Sequence, residues 1–268
     1  MTHGSVFTGI GGFDLASERM GWENVFHCEN NRFCREFLQK RFGGISYEDI
    51  RTTNFTVWKG RIGILSGGFP CQDTSNAKRH GEGQTGLSGE RTGLWWEMAR
   101  AIDEIKPMFV VAENVADILT VNNGTDFAPI LHTLAGLGYN VEWKTIYASD
   151  CGFPHRRKRC YMVAYPYSIR LPESESFFSY VSPSIEPKLQ HFAGTFIQNG
   201  IPGISQPQVC SLDYGFSSRS LEMYGKSRLK EEVFHAYGNA IIPHLAYCIF
   251  KKINEVFNDL NYESKIQN

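Results

Sequence analysis

The sequence predicts an α/β protein with a doubly wound, mostly parallel sheet, helices on both faces and one small irregular region. Three observations lead there. Short apolar runs alternate with stretches whose apolar residues recur at helical spacing, and repeated strand–helix units imply a parallel sheet covered on both sides. A glycine-rich turn, Gly9-Ile10-Gly11-Gly12, separates the first strand candidate from the first helix. The pattern fails after Ala164 and returns as a single amphipathic helix, so the chain leaves the core and comes back.

Taken in order, Ser5-Val6-Phe7 is the first strand candidate, and a helix follows the glycine turn from about Phe13 or Asp14. Val25 to Cys28 is the second strand, followed by a helix carrying Phe33 and Phe37 on one face. Ile62 to Leu65 and Met108 to Ala112 are short apolar runs of the kind buried in parallel sheets. Between them Leu94, Met98, Ala101, Ile102 and Ile105 keep helical spacing up to Pro107, which cannot continue a helix. Val141 to Tyr147 alternates like a half-buried strand, and Cys160 to Ala164 is another. This is a Rossmann-like arrangement. Leu245, Ile249, Ile253, Val256 and Leu260 form one stripe behind a first-turn proline, Pro243, and must dock on the sheet. The expected organisation is a catalytic unit over 1–164, a small separate region over 165–234 rich in Ser, Pro, Gly and aromatics, and a returning helix within 235–268.

Composition narrows the function. The 268 residues are 42% hydrophobic, enough for an ordinary globular core. No apolar run reaches the length of a membrane span, and no basic flank precedes an apolar signal region. The cysteines number 7 and contain no C-x-x-C pair, which argues against a disulfide scaffold or zinc site and fits a reducing cytoplasm. Net charge is −1, so any nucleic-acid surface must be local, and Arg156-Arg157-Lys158-Arg159 is the densest basic run.

Four clusters carry chemistry. Cys71, in Gly67-Gly68-Phe69-Pro70-Cys71-Gln72, follows a strand end, where open α/β sheets line their ligand crevice; a thiol there is a candidate nucleophile. The glycine turn after Phe7-Thr8 lets backbone approach a ligand, although Asp14 stands where a dinucleotide fingerprint has its third glycine. Glu29, after the second strand, suits ribose hydroxyls, and Asp49-Ile50 follows the next extended segment, so adenosine is favoured over a dinucleotide. Glu113, in Glu113-Asn114-Val115, ends an apolar strand at the same rim as Cys71 and must be hydrated, paired or functional. Alternation places Arg157 and Arg159 on one face, where two guanidiniums can hold a carbonyl oxygen, a phosphate or the neighbouring acid.

Phe7-x-Gly9-x-Gly11-Gly12, Pro70-Cys71-Gln72, Glu113-Asn114-Val115, Arg157-x-Arg159 and Gly238-Asn239 together resemble the ordered motifs of the DNA (cytosine-5) methyltransferases. That resemblance implies S-adenosylmethionine as donor, S-adenosylhomocysteine as product, and a cytosine of double-stranded DNA as acceptor. Cys71 would attack C6, Glu113 would hold the N3 and amine edge, and Arg159 would bind O2 with Arg157 in support. Phe7, Gly9, Ile10, Gly11, Gly12, Glu29, Asp49, Ile50, Pro70, Leu94 and Asn239 would form the donor site. His155 stands where the family usually has glutamine, and Ala240 where it has serine. The 165–234 region would read the target sequence. A glycine-rich basic loop over 73–93, with Lys78, Arg79 and Arg91, would close over an extruded base. A cognate restriction endonuclease is an implied partner, and bacterial or phage-infected cytoplasm the implied setting. Related tRNA methyltransferases share the first four clusters, but that branch's own cysteine signature is not found past Ala164. A catalytically silent DNA-binding relative is disfavoured by the intact Cys71, Glu113 and Arg159, and a nicotinamide oxidoreductase by Asp14.

Overall fold

The computed structural model describes residues 1–70, 93–151, 156–171, 174–181 and 240–266. Its strands are β1 (Thr2–Val6), β2 (Glu23–Cys28), β3 (Ile45–Tyr47), β4 (Ile64–Gly68), β5 (Phe109–Val115), β6 (Tyr139–Tyr147) and β7 (Lys158–Pro166). The α-helices among the described residues are α1 (Gly12–Arg19), α2 (Arg32–Arg41), α3 (Leu94–Ile105), α4 (Phe127–Gly136) and α5 (Pro243–Ile266). The strands make one sheet in the order β3-β2-β1-β4-β5-β7-β6.

Strands β1 to β5 pair in parallel. β7 runs antiparallel to both β5 and β6, so β6 points the same way as β5. The mostly parallel sheet is therefore as expected, with one strand reversed. That reversal brings the start of β7 to the rim where β5 ends, with Val115 opposite Arg159.

Alternate residues of the central strands feed two cores. Leu65, Val110, Ala112, Cys160 and Met162 face α3 and α4 in one cluster with Trp95, Met98 and Ile102. Ile64, Phe109, Val111, Tyr161 and Val163 face α1 and α5 in the other, with Phe13, Trp22 and Phe250. Burial on both faces is why these runs read as continuously apolar. Helix ends follow local chemistry. Asn31 caps α2 by accepting from the Cys34 N–H at 3.0 Å, and Lys40 and Arg41 sit in its last turn, where the helix dipole favours cations. Helix α3 ends at Ile105, and Lys106 takes the left-handed conformation (φ 53°) just before Pro107.

Several expected boundaries move. Phe7 lies outside β1 in a left-handed conformation (φ 51°), because the chain must turn sharply into the glycine segment. Glu113, Asn114 and Val115 belong to β5 rather than following it, since antiparallel β7 extends the pairing past Ala112. α1 begins at Gly12, α4 is additional, and β7 begins at Lys158 and runs on to Pro166. After β7 the chain stays on the sheet for a further stretch: Ile169, Phe177 and Phe178 are buried in the α1/α5 core. Glu142 of β6 holds this segment by accepting from the Ser176 hydroxyl and, at 3.0 Å, from the Phe177 N–H.

Candidate active site

The register gathers the candidate residues at one rim. Val6 lies opposite Cys28 and Gly67, and Gly68 lies opposite Glu113. Phe7, Glu29 and Phe69 therefore leave their strands side by side, next to Glu113 near the end of β5, and Arg159 lies at the start of β7 beside them. Cys71, Asn239 and the 73–93 loop up to residue 92 lie outside the described residues, as does His155. Pro70, one residue before Cys71, is half-buried at this rim.

Glu113 is buried, and its side chain lies over Gly68, where a Cβ would come within 3.3 Å of Oε2. Glu113 and Arg159 are diagonal neighbours across the β5–β7 ladder, on the same face and within reach of long side chains. Arg159 Nε stands 2.9 Å from Glu113 Oε1, and Arg157 Nη2 stands 3.9 Å from the same oxygen. At 2.9 Å the first pair is close enough to hydrogen-bond, but the N–H is not aligned, and Oε1 lacks a hydrogen-bond partner among the described residues. The attraction is thus mainly Coulombic, and the oxygen keeps acceptor capacity. Burial pushes the Glu113 carboxyl upward, and the guanidiniums of Arg159 and Arg157 offset only part of that push. Burial, with Arg159 alongside, pulls Arg157 downward. A carboxyl held toward its neutral form offers both an O–H donor and an acceptor, beside guanidiniums suited to a carbonyl oxygen.

Asn114 was given no role by the sequence. It is buried, its Nδ2 donates to the Phe69 carbonyl at 3.3 Å, and its Oδ1 accepts from the Val115 N–H at 2.7 Å. It ties the end of β5 to the segment that leads into Cys71. The signal available was its place beside Glu113.

On the other side of the rim, Phe7 packs partly against the α3/α4 core from its left-handed backbone, a conformation that costs a bulky L-residue about 1–2 kcal/mol. Gly9 also has positive φ (58°), with nothing within 4 Å of where a Cβ would stand, so its outer face is open to a ligand. Gly11 (φ 83°) and Gly12 are packed instead: a Cβ on Gly11 would meet the Phe42 ring at 2.5 Å, and one on Gly12 would meet Ile241 O at 2.6 Å. The returning segment 240–242 thus lies against the glycine turn and, through Ile241 Cδ1, against Gly68. Ile10 is half-buried.

Glu29 accepts from the Gly9 and Asn31 N–H groups, one on each oxygen, both at 2.7 Å. A carboxylate so anchored retains lone pairs for two further donors. Asp49 follows β3 and is gripped in a fork by Arg51, Nε to Oδ1 at 3.0 Å and Nη2 to Oδ2 at 2.8 Å, which pulls its carboxyl below the usual range. Ile50 is buried, and Leu94, at the start of α3, is half-buried against the α3/α4 core. Asp14 departs from expectation. Its carboxyl does not flank the turn; it is buried under α1, accepts from Ser5 Oγ at 3.0 Å, and burial raises it to about 7. Repulsion of a ligand phosphate by Asp14 is accordingly weaker than its sequence position implies.

One rim of this sheet thus joins a strained glycine turn after β1 to a carboxyl–guanidinium cluster across β5 and β7. Residues 1–200 match the family model described as C-5 cytosine-specific DNA methylase, and the chain belongs to that family. It is 34% identical over 181 residues to the type II methyltransferase M.Sau3AI of Staphylococcus aureus, covering 60% of this chain and 42% of that one. Over 160 residues it is 33% identical to M.HhaI of Haemophilus parahaemolyticus, covering 60% and 47%. The chain spans less than half the length of these relatives. Its fold resembles a putative DNA modification methyltransferase encoded within an E. coli prophage, with TM-score 0.67, 18% identity, and 96% and 99% of the two chains covered. It also resembles S. pombe Dnmt2 methyltransferase, with TM-score 0.59, 13% identity, and 97% and 99% covered.

Proposed function

We propose that this chain transfers a methyl group to C5 of a cytosine in duplex DNA. The observation that carries the reading is Glu113, buried and flanked by Arg159 and Arg157 at the rim beside the end of β4, two residues beyond which the sequence runs into Pro70-Cys71.

The donor fits the residues present. Gly9 leaves an open face beside the turn, and Glu29 is anchored with lone pairs to spare for ribose hydroxyls. Phe7, Ile10, Pro70 and Leu94 would supply apolar contact, with Asp49, Ile50 and Asn239 completing the site. S-adenosylmethionine, when bound, supplies an electrophilic methyl group. The chain's own residues must make C5 of an aromatic ring nucleophilic. Cys71 does so by adding its thiolate to C6 while Glu113 delivers a proton to N3 and holds the exocyclic amine. Arg159, supported by Arg157, holds O2 and keeps the ring in register. Once C5 carries the methyl group, solvent water removes the C5 proton, the freed electron pair expels the Cys71 thiolate from C6, and N3 returns its proton to Glu113. The target carbon is stacked inside a duplex, so the base must leave the helix first, and the basic 73–93 loop would cover it. Residues 165–234 would read sequence, a nuclease of the same specificity is the implied partner, and the cytoplasm the setting. Among the described residues no helix is long and apolar enough to cross a membrane.

The test is incorporation of labelled methyl groups into duplex DNA, with tRNA as a parallel acceptor. Cys71→Ser and Glu113→Gln should each reduce incorporation into DNA to background while S-adenosylhomocysteine binding survives. Methylation that persists in Cys71→Ser removes the thiol from the mechanism, and label entering tRNA alone replaces the acceptor.

A further inference from the structure

The segment that carries Asp49 and Ile50 is held from outside by one arginine of α3. Within the segment, Asp49 O accepts from the Thr53 N–H at 3.1 Å and from Thr53 Oγ1 at 2.7 Å, making a compact turn. Two of its carbonyls point at Arg100. Nη2 donates to Ile50 O, and Nη1 donates to Thr53 O at 3.1 Å. The guanidinium lies 6.0 Å from the Phe55 ring centroid. Arg100 is itself aimed by carboxylates on its own helix: Nε donates to Glu97 at 2.9 Å and Nη1 to Glu104 at 2.6 Å. The other oxygen of Glu104 accepts from the Phe55 N–H at 2.7 Å. The Arg100 fork thus ties α3 to residues 50 and 53, and Glu104 ties it to Phe55 at the far end of the turn.

A planar guanidinium meets two carbonyls and two carboxylates at once because its donors leave in fixed directions; an ammonium at the same place would serve fewer of them. Asp49 needs such external support. The strand before it, β3, has 3 residues and, among the described residues, pairs with β2 alone at the sheet edge, so the sheet itself fixes the turn weakly.

We propose that Arg100 is a positioning residue for the adenine end of the donor site: it holds the 50–55 turn so that Asp49 and Ile50 present to the adenine amine edge. This rests on the reading of Asp49 and Ile50 as donor contacts. Arg100 touches neither donor nor cytosine, and its effect is on recognition rather than on bond making.

The experiment is calorimetric binding of S-adenosylhomocysteine and of its deaminated, hypoxanthine-bearing counterpart to the 268-residue chain, to Arg100→Lys and to Arg100→Gln. Asp49→Asn serves as the reference, and thermal unfolding without ligand reports on folding. The unaltered chain should prefer the adenine form. Both Arg100 variants should weaken that form roughly tenfold, the equivalent of losing one net charge-assisted hydrogen bond. Binding of the hypoxanthine form should change far less, so the preference collapses as it does in Asp49→Asn. Arg100→Lys keeps the charge and serves if Arg100→Gln does not fold. Equal weakening of both ligands, or an intact preference in a folded variant, overturns the proposal while leaving the donor site standing. An unaltered chain that binds neither ligand, or binds both equally, overturns the donor-site reading and this inference with it.

Discussion

Two buried carboxyls set the electrostatics at the residue scale, and they resolve the same conflict differently. Glu113 and Asp14 are both pushed upward by burial. Glu113 has two guanidiniums to offset that push; Asp14 has neutral donors, its own backbone N–H and the Ser5 hydroxyl, itself 2.9 Å from Thr8 Oγ1 in the glycine turn. Asp14 Oδ2 has no hydrogen-bond partner among the described residues. Folded Asp14 keeps its proton up to about pH 7, whereas the unfolded chain loses it near 3.8. The folded state then binds more protons between those values, so this contribution is complete at low pH and is lost as pH rises through 7. Asp14→Asn keeps an acceptor for Ser5 with no charge to bury. It should flatten the decline in stability between pH 4 and pH 7, read as urea midpoints across that range. His3, lowered to about 4 by burial, gives an opposite slope between about 4 and its ordinary 6.5, and it is common to both proteins. A variant that declines as steeply as the parent would contradict the buried, protonated Asp14.

At the element scale, the glycine turn joins the candidate donor site to the returning segment. Gly11 and Gly12 are held by packing, while Gly9 is free on its outer side. A methyl group on Gly12 would stand 2.6 Å from Ile241 O, a backbone atom that cannot swing aside. Gly12→Ala should cost about 1–3 kcal/mol, the usual range for overpacking, read as a lower urea midpoint. It should also weaken S-adenosylhomocysteine binding, because relief requires either the turn or residues 240–242 to shift. Wild-type midpoint and affinity in this variant would show that the segment moves without consequence. Phe7 stores strain in the same turn, which fits a residue placed by its surroundings rather than by its own preference.

The whole molecule depends on α5 for one of its two cores. Leu245, Ala246, Ile249, Phe250 and Ile253 are fully buried against α1 and the sheet, with Phe250 within 6.0 Å of the Phe13 and Trp22 rings. Ile249→Ala should cost about 2–5 kcal/mol, the range for truncating a buried aliphatic side chain, with unfolding still a single transition. Two transitions would show that α5 and the sheet unfold separately. The same contact places residues 240–242 beside the glycine turn, so loosening α5 should also weaken donor binding.

The strands, the two-sided burial and the chemical clusters were legible in the sequence because each is a local pattern. Val110 to Ala112 and Cys160 to Ala164 are apolar for the single reason that both their faces are covered. Helix α4 had the same kind of signal in Phe127, Ile130 and Leu134, all buried, but it has only 10 residues and ends at Gly136. The direction of β7 was not legible. Strand propensity is the same for either direction, and only the pairing with β5 and β6 decides that Arg159 enters the rim that Glu113 leaves. Nor was the inward turn of Asp14, which depends on Ser5 lying beneath α1. The hold of Arg100 on residues 50–55 spans about fifty positions of sequence. Residue identities therefore determined which chemistry is available, and tertiary pairing alone decided which groups share a site, because contacts between distant segments leave no periodicity in either one.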